Sequence, residues 1–342
     1  MNARLPGLPA ATRHDVASWL LAGTALALIL WLHVLAALLA GLLVAELVHV
    51  IVPKLRLLRI SGRRSKLVAV GFLAIVISTG LTVGVLALVA FFRSDAGSLS
   101  TLLGHMADII DQARGKLPGW IGDRLPRDAE ALGVASADWL RSHADEVQAA
   151  GAKVGVTLTH ILVGLIIGGL VSLREVRADR APGPLAVALG ERVKRLGEAF
   201  RRIVFAQIRI SALNTTLTAI YLLVVLPALG IKLPFLKTMI AVTFFAGLMP
   251  IIGNLVSNTV IVTVSLSHSL GVAAGSLAFL VLIHKLEYFV NARIVGTQIK
   301  ARAWELLTTF IVMEAAFGIP GLIAAPVYYA YLKLELSSRG QI

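Results

Sequence analysis

Glu314 stands inside an otherwise apolar stretch, Ile311-Val-Met-Glu314-Ala-Ala-Phe317, immediately before the breakers Gly318-Ile-Pro320-Gly321. Ionisable side chains are costly in apolar segments, so a carboxyl group there points to cation binding or proton exchange. Its bland alternative is an ion pair with an Arg or Lys of a neighbouring helix. His284, Glu287 and Asn291 follow one another at three and four residues, which puts them on one helical face beside Lys285. That face reads as the cytoplasmic end of a membrane helix, where an ion pair or snorkelling explains them as well as solute binding does. Asn254 and Asn258, four apart, share a face just after the interruption Pro250-Ile-Ile-Gly253, and their amides suit a polar solute or a bond between helices. Gln207, Asn214, Thr215 and Thr218 read as helix-to-helix hydrogen-bonding groups. Glu46 and His49, within two turns of Pro53, read as snorkelling to the interface.

The elements that must hold these residues are membrane helices. Of 342 residues 57% are apolar and 15% charged, against roughly half and a quarter in soluble domains. Leu67 to Phe92, Val154 to Leu173 and Ile210 to Ile231 are uncharged runs of 26, 20 and 22 residues. Each crosses a hydrocarbon core of ~30 Å at ~1.5 Å per residue. Val16 to Val52 spans 37 residues, too long for a signal peptide, and reads as two short spans with a turn near His33.

Charge sets the expected topology. The net charge of +13 suggests no nucleic-acid partner in such a chain, because Lys and Arg collect in short cytoplasmic loops. Lys54, Arg56, Arg59, Arg63, Arg64 and Lys66 form one such loop with no acid among them. Residues 93 to 152 instead carry six basic and nine acidic side chains and read as a small helical extracytoplasmic domain. Residues 174 to 209 are basic again, and Leu185, Leu189, Val193, Leu196, Phe200 and Ile203 form the stripe of an amphipathic helix. Its face with Arg192, Lys194, Arg195, Arg201 and Arg202 suits an anionic inner leaflet, and packing on the protein's own bundle suits it equally.

The remaining C-terminal part, 210 to 342, contains two interrupted segments. Thr238 to Met249 and Leu255 to Ser267 are arms of 12 and 13 residues around Pro250 and Gly253. Gly318, Pro320 and Gly321 split Leu306 to Leu332 into arms of 12 and 11. Paired broken helices are the pattern of transporters that hold a solute near the midplane. If Thr238 to Ser267 crosses fully as a kinked span, the loop with Arg293, Lys300 and Arg302 lies outside; if it is re-entrant, the loop lies in the cytoplasm, where its charge belongs, and two hairpins entering from opposite faces are the favoured reading. The expected fold class is an all-α polytopic membrane protein of about eight membrane segments, two of them broken. Its parts are membrane helices over 1–92, the external domain over 93–152, a helix over 153–173, a cytoplasmic linker over 174–209 and the C-terminal membrane domain. Both termini are expected in the cytoplasm and the chain in the cytoplasmic (inner) membrane.

No phosphate loop, zinc pair or nucleophile elbow occurs, and there is no cysteine, so the expectation is a non-enzyme without cofactor or metal, driven by a proton or sodium gradient. The cargo would be a small polar solute or a cation. A passive channel would need a continuous polar stripe, which the long uncharged helices do not display. A membrane scaffold acting through the external domain is a further alternative.

Three stretches resemble the autoinducer-2 exporter family, also called PerM-like permeases: Met249-Pro-Ile-Ile-Gly253-Asn254, Leu286-Glu287-Tyr-Phe-Val-Asn-Ala-Arg293-Ile-Val-Gly296 and Phe317-Gly318-Ile-Pro-Gly321-Leu-Ile-Ala-Ala-Pro326. Asn254 replaces the family's usual second proline, Ala292 its proline before Arg293, and Glu314 a usually small residue. The resemblance implies small-solute export or ion-coupled antiport by a homo-oligomer, a pentamer being one form.

Overall fold

The computed structural model describes residues 12–57, 59, 62–93, 111, 128–173, 182–249, 252–266, 268–299 and 302–341. Among them the regular structure is helical, with no strand. The helices are α1 (Arg13–Trp31), α2 (Leu35–Leu57), α3 (Arg63–Arg93), α4 (Ala129–Ser142), α5 (Ala144–Leu173), α6 (Pro184–Ile220), α7 (Leu236–Gly247), α8 (Ile252–Leu266), α9 (Leu270–Ile299) and α10 (Ala303–Ser338). Among the described residues five stretches are long and apolar enough to cross a membrane: Arg13–Trp31, Leu35–Leu55, Ala144–Leu173, Pro184–Ala228 and Trp304–Ser338. The chain is thus an all-α polytopic membrane protein. It forms two compact units, one from Met1–Val76, Lys153–Ala206 and Ile294–Ile342, the other from Ile77–Ala152 and Gln207–Arg293.

In the first unit α1 begins at a capping box: the Asp15 amide donates to Thr12 Oγ1 and the Thr12 amide to the Asp15 carboxylate. α1 and α2 are separated by a turn at His33, whose φ is +58°. α2 and α5 approach through small residues. A Cβ on Gly164 would lie 2.2 Å from the Ala37 carbonyl oxygen, and one on Gly168 2.3 Å from that of Gly41. Such backbone approach is what joins helices in lipid, where burial of apolar surface gives no advantage.

The amphipathic stripe of the linker packs on protein. Ala199, Phe200 and Ile203 of α6 are buried with Val327, Ala330 and Tyr331 of α10, and Leu39, Leu42 and Leu43 of α2 close the cluster. Part of the basic face also turns inward. Arg192, only 2% exposed, contacts Glu335, lies 3.6 Å from Asp15 and stands over the Trp19 ring, while Arg195 reaches Glu335 at 2.6 Å. A guanidinium amid paired carboxylates and an indole is cheaper to bury than an isolated one, so charge alone misreads its direction.

The second unit is centred on Tyr221, Leu222, Leu226, Leu233, Met239, Ile261 and Leu280. α6 ends in a π-helical turn, Tyr221–Val225, that turns the Tyr221 ring against Phe279 at 3.9 Å.

Candidate functional site

The first interruption is a helical hairpin in the second unit. α7 and α8 have 12 and 15 residues, roughly 18 and 22 Å, each short of a ~30 Å core, and they pack on one another. Gly253 permits this: a Cβ there would be 2.0 Å from the Ala246 carbonyl oxygen and 2.9 Å from Gly247 Cα. Pro250, expected as a hinge, lies outside the described residues.

A helix ending at membrane depth leaves four carbonyls that must find donors. All four of α7 are met. Leu248 N donates to Phe245 O and Met249 N to Ala246 O, while α6 supplies the rest: Ser211 Oγ donates to Phe244 O at 2.6 Å and Gln207 Nε2 to Gly247 O at 2.7 Å. Gln207 and Asn214 therefore bond between helices, as their sequence positions suggest.

One turn along, three helices converge on amides. Asn254, in the first turn of α8, accepts from Asn214 Nδ2 of α6 at 3.2 Å, and its own Nδ2 is 3.0 Å from His284 Nδ1 of α9. As acceptor, Nδ1 leaves the imidazole proton on Nε2. Asn214 is buried, Asn254 half-buried and His284 exposed, so the row runs from interior to surface. His284 is not at a helix end, as its charged neighbours suggest. The helix runs on past it to Ile299, and Lys285, Glu287 and Arg293 are all good helix formers. Glu287 and Asn291 belong to this helix, and their side chains lie outside the described set. Asn258 is half-buried one turn beyond Asn254 and, among the described residues, bonds to neither Asn214 nor His284.

α6 does carry a polar stripe. Gln207, Ser211, Asn214, Thr218 and Tyr221 recur at intervals of four and three, one face of a helix. Tyr221 Oη lies 3.0 Å from Ser276 Oγ, which is 2.8 Å from Ser265 Oγ, all buried. Thr218, 0% exposed, has no partner for its hydroxyl among the described residues, nor has the buried hydroxyl of Thr215. Hydropathy hides this stripe, since Ser, Thr and Tyr score close to neutral; the spacing is the signal that finds it.

The second interruption reverses the chain too, within the first unit. Gly318 has φ +62° and ψ −146°, a region open essentially to glycine alone. A Cβ on Gly321 would be 1.9 Å from the Met313 carbonyl oxygen, although residues eight apart in a straight helix are separated by about 12 Å. At the far end of the arms Glu305 accepts from Tyr329 Oη at 2.6 Å and Lys333 Nζ at 2.7 Å. This clamp joins groups 24 and 28 residues apart, and nothing in the sequence pairs them before the reversal at Gly318 is known. Pro320 sits in the turn and is half-buried. Glu314, on the first arm, is exposed and has no hydrogen-bond or ion-pair partner among the described residues.

Long apolar helices, two helical hairpins and an amide row at one hairpin's turn define a multi-spanning membrane protein with polar chemistry built into its membrane helices. The model of the AI-2E family transporters matches residues 19–336, nearly the whole chain, and the chain belongs to that family. It is therefore a membrane transporter. No curated protein and no solved structure matches it.

Proposed function

We propose that the chain is a secondary transporter that exports a small polar solute, or exchanges cations for protons, across the cytoplasmic membrane, with Asn254 at the heart of its solute site. The observation that carries this reading is the Asn214–Asn254–His284 row at the turn of the first hairpin. An amide offers a donor and an acceptor together, and a break between two half-length helices is where transporters place such polar groups around a solute. Asn258 extends the polar face. Gly253, Gly318, Pro320, Gly321 and Pro250 are the hinges about which the hairpin arms move. Glu314 and Glu287 are carboxylates available to a coupling proton or sodium ion, Asn291 shares the Glu287 face, and a homo-oligomer is the working form.

The test is solute flux in proteoliposomes under an imposed proton or sodium gradient. Asn254→Ala and Asn214→Ala should each cut flux at least about tenfold, the effect of losing a site's paired polar contact, with the protein still monodisperse. Wild-type flux in both variants would remove the row from the site. The α6 stripe favours one second reading, a passive pore. Counterflow separates the two: a transporter loaded with unlabelled solute drives transient accumulation of label, and a pore only equilibrates it.

A further inference from the structure

Among the described residues of the first unit, four carboxylates are largely buried: Asp15, Glu46, Glu305 and Glu335, whose side chains are 15, 14, 18 and 9% exposed. Three are held by a cation at hydrogen-bond distance. Arg339 lies 2.7 Å from Asp15, Lys333 2.7 Å from Glu305 and Arg195 2.6 Å from Glu335. Glu46 is the exception. It sits in the apolar span Leu35–Leu55, roughly 10 Å along the helix from Pro53. Its nearest cation among the described residues is Arg201 at 3.7 Å, beyond a hydrogen bond, and the Arg201 side chain is 45% exposed. Its other oxygen, Oε1, faces Gly197 of α6, where a Cβ would stand 2.5 Å away. The glycine therefore opens a notch in the linker helix that receives the carboxylate.

A carboxylate in an apolar span is stable only when its charge is neutralised, and one half-exposed arginine out of hydrogen-bond reach does this incompletely. We infer that Glu46 is an exchangeable monovalent-cation site of the transport cycle, taking a proton or an alkali metal ion, with Arg201 as its tethered competitor. When the cation occupies Glu46, Arg201 is released toward solvent; when it leaves, Arg201 closes on the carboxylate and draws α6 onto α2.

Among the described residues, the surrounding charges leave this pair isolated. From α6, Glu198 is held by Arg202 at 2.6 Å, Arg195 is held by Glu335, and Lys194 is exposed. On α2 itself His49 is exposed, with Nδ1 2.8 Å from the Ala45 carbonyl oxygen. α5 meets α2 through Gly164 and Gly168, with no titratable side chain from Ile161 to Leu173. α10 brings the phenols Tyr328 and Tyr331 to the apolar cluster it shares with α2. α1 brings Leu26 to the same cluster.

The inference rests on the transporter reading and fails separately from it. Carbodiimides form stable adducts only with protonated carboxyl groups in apolar surroundings, so the full-length wild-type protein in liposomes is treated with dicyclohexylcarbodiimide and mapped by mass spectrometry. An adduct on Glu46 suppressed by sodium chloride, but not by choline chloride of equal concentration, identifies an alkali-ion site. An adduct suppressed only by raising pH identifies a proton site. Absence of an adduct on Glu46, or one that responds to neither, overturns the inference. Glu46→Gln should abolish the gradient dependence of flux while counterflow persists, and unchanged gradient dependence overturns the inference even if Asn254→Ala is inactive. Arg201→Gln removes the competitor and should lower the half-saturating cation concentration about two- to five-fold, the range of a half-exposed ion pair.

Discussion

Gly253 and Gly321 hold matching places in their hairpins, each with its α-hydrogen directed at a carbonyl oxygen that a Cβ would strike at 2.0 and 1.9 Å. Both obstacles are backbone, which cannot swing aside as a side chain does. Gly253→Ala and Gly321→Ala should therefore lower the thermal midpoint in detergent sharply, whereas Gly23→Ala and Gly71→Ala, with nothing within 4 Å, should not. Gly318→Ala meets open space but a forbidden backbone conformation, and should cost about 1–3 kcal/mol. The polar residues of α6 act on a smaller scale. Ser211→Ala and Gln207→Ala each strip a donor from the end of α7, and each should destabilise by about 1 kcal/mol in a reversible unfolding titration.

At the scale of elements, the decisive feature is that both interruptions turn the chain back on itself rather than merely kinking it. For α10 this is directly testable in a chain without cysteine. Residues 305 and 333 would be about 42 Å apart in a straight helix, yet their side chains meet at 2.7 Å in the hairpin. The double variant Glu305→Cys/Lys333→Cys should be cross-linked within one chain by a short bismaleimide, and absence of the cross-link would exclude the reversal. The α2–α5 pair is held by shape in the same way. Gly168→Leu drives a side chain into the Gly41 carbonyl, 2.3 Å from the Cβ position, and should dissociate the pair, seen as loss of the monodisperse peak in size-exclusion chromatography.

At the scale of the whole molecule, the basic stretches 53–66 and 291–303 of the sequence belong on one side of the membrane if each hairpin enters and leaves by the same face. Cysteines replacing Lys54 and Lys300 should both react with a membrane-impermeant maleimide from the cytoplasmic side only, and external labelling at position 300 would refute a re-entrant first hairpin. The all-helical membrane class, the family and the positions of both interruptions are legible in the chain itself. Apolar run length, loop charge and the order of Gly and Pro are local quantities, and local quantities survive without coordinates. Glu314 and the 284–291 face were equally legible as costly polar groups in apolar segments. Tertiary structure alone decided which groups meet: Asn254 with Asn214 and His284, Glu305 with Lys333, Arg192 turned inward, and Glu46 lodged against Gly197 rather than reaching for the interface. These pairings join residues tens to hundreds of positions apart. Their energies depend on distances of a few ångströms, which only the packing of one helix on another sets.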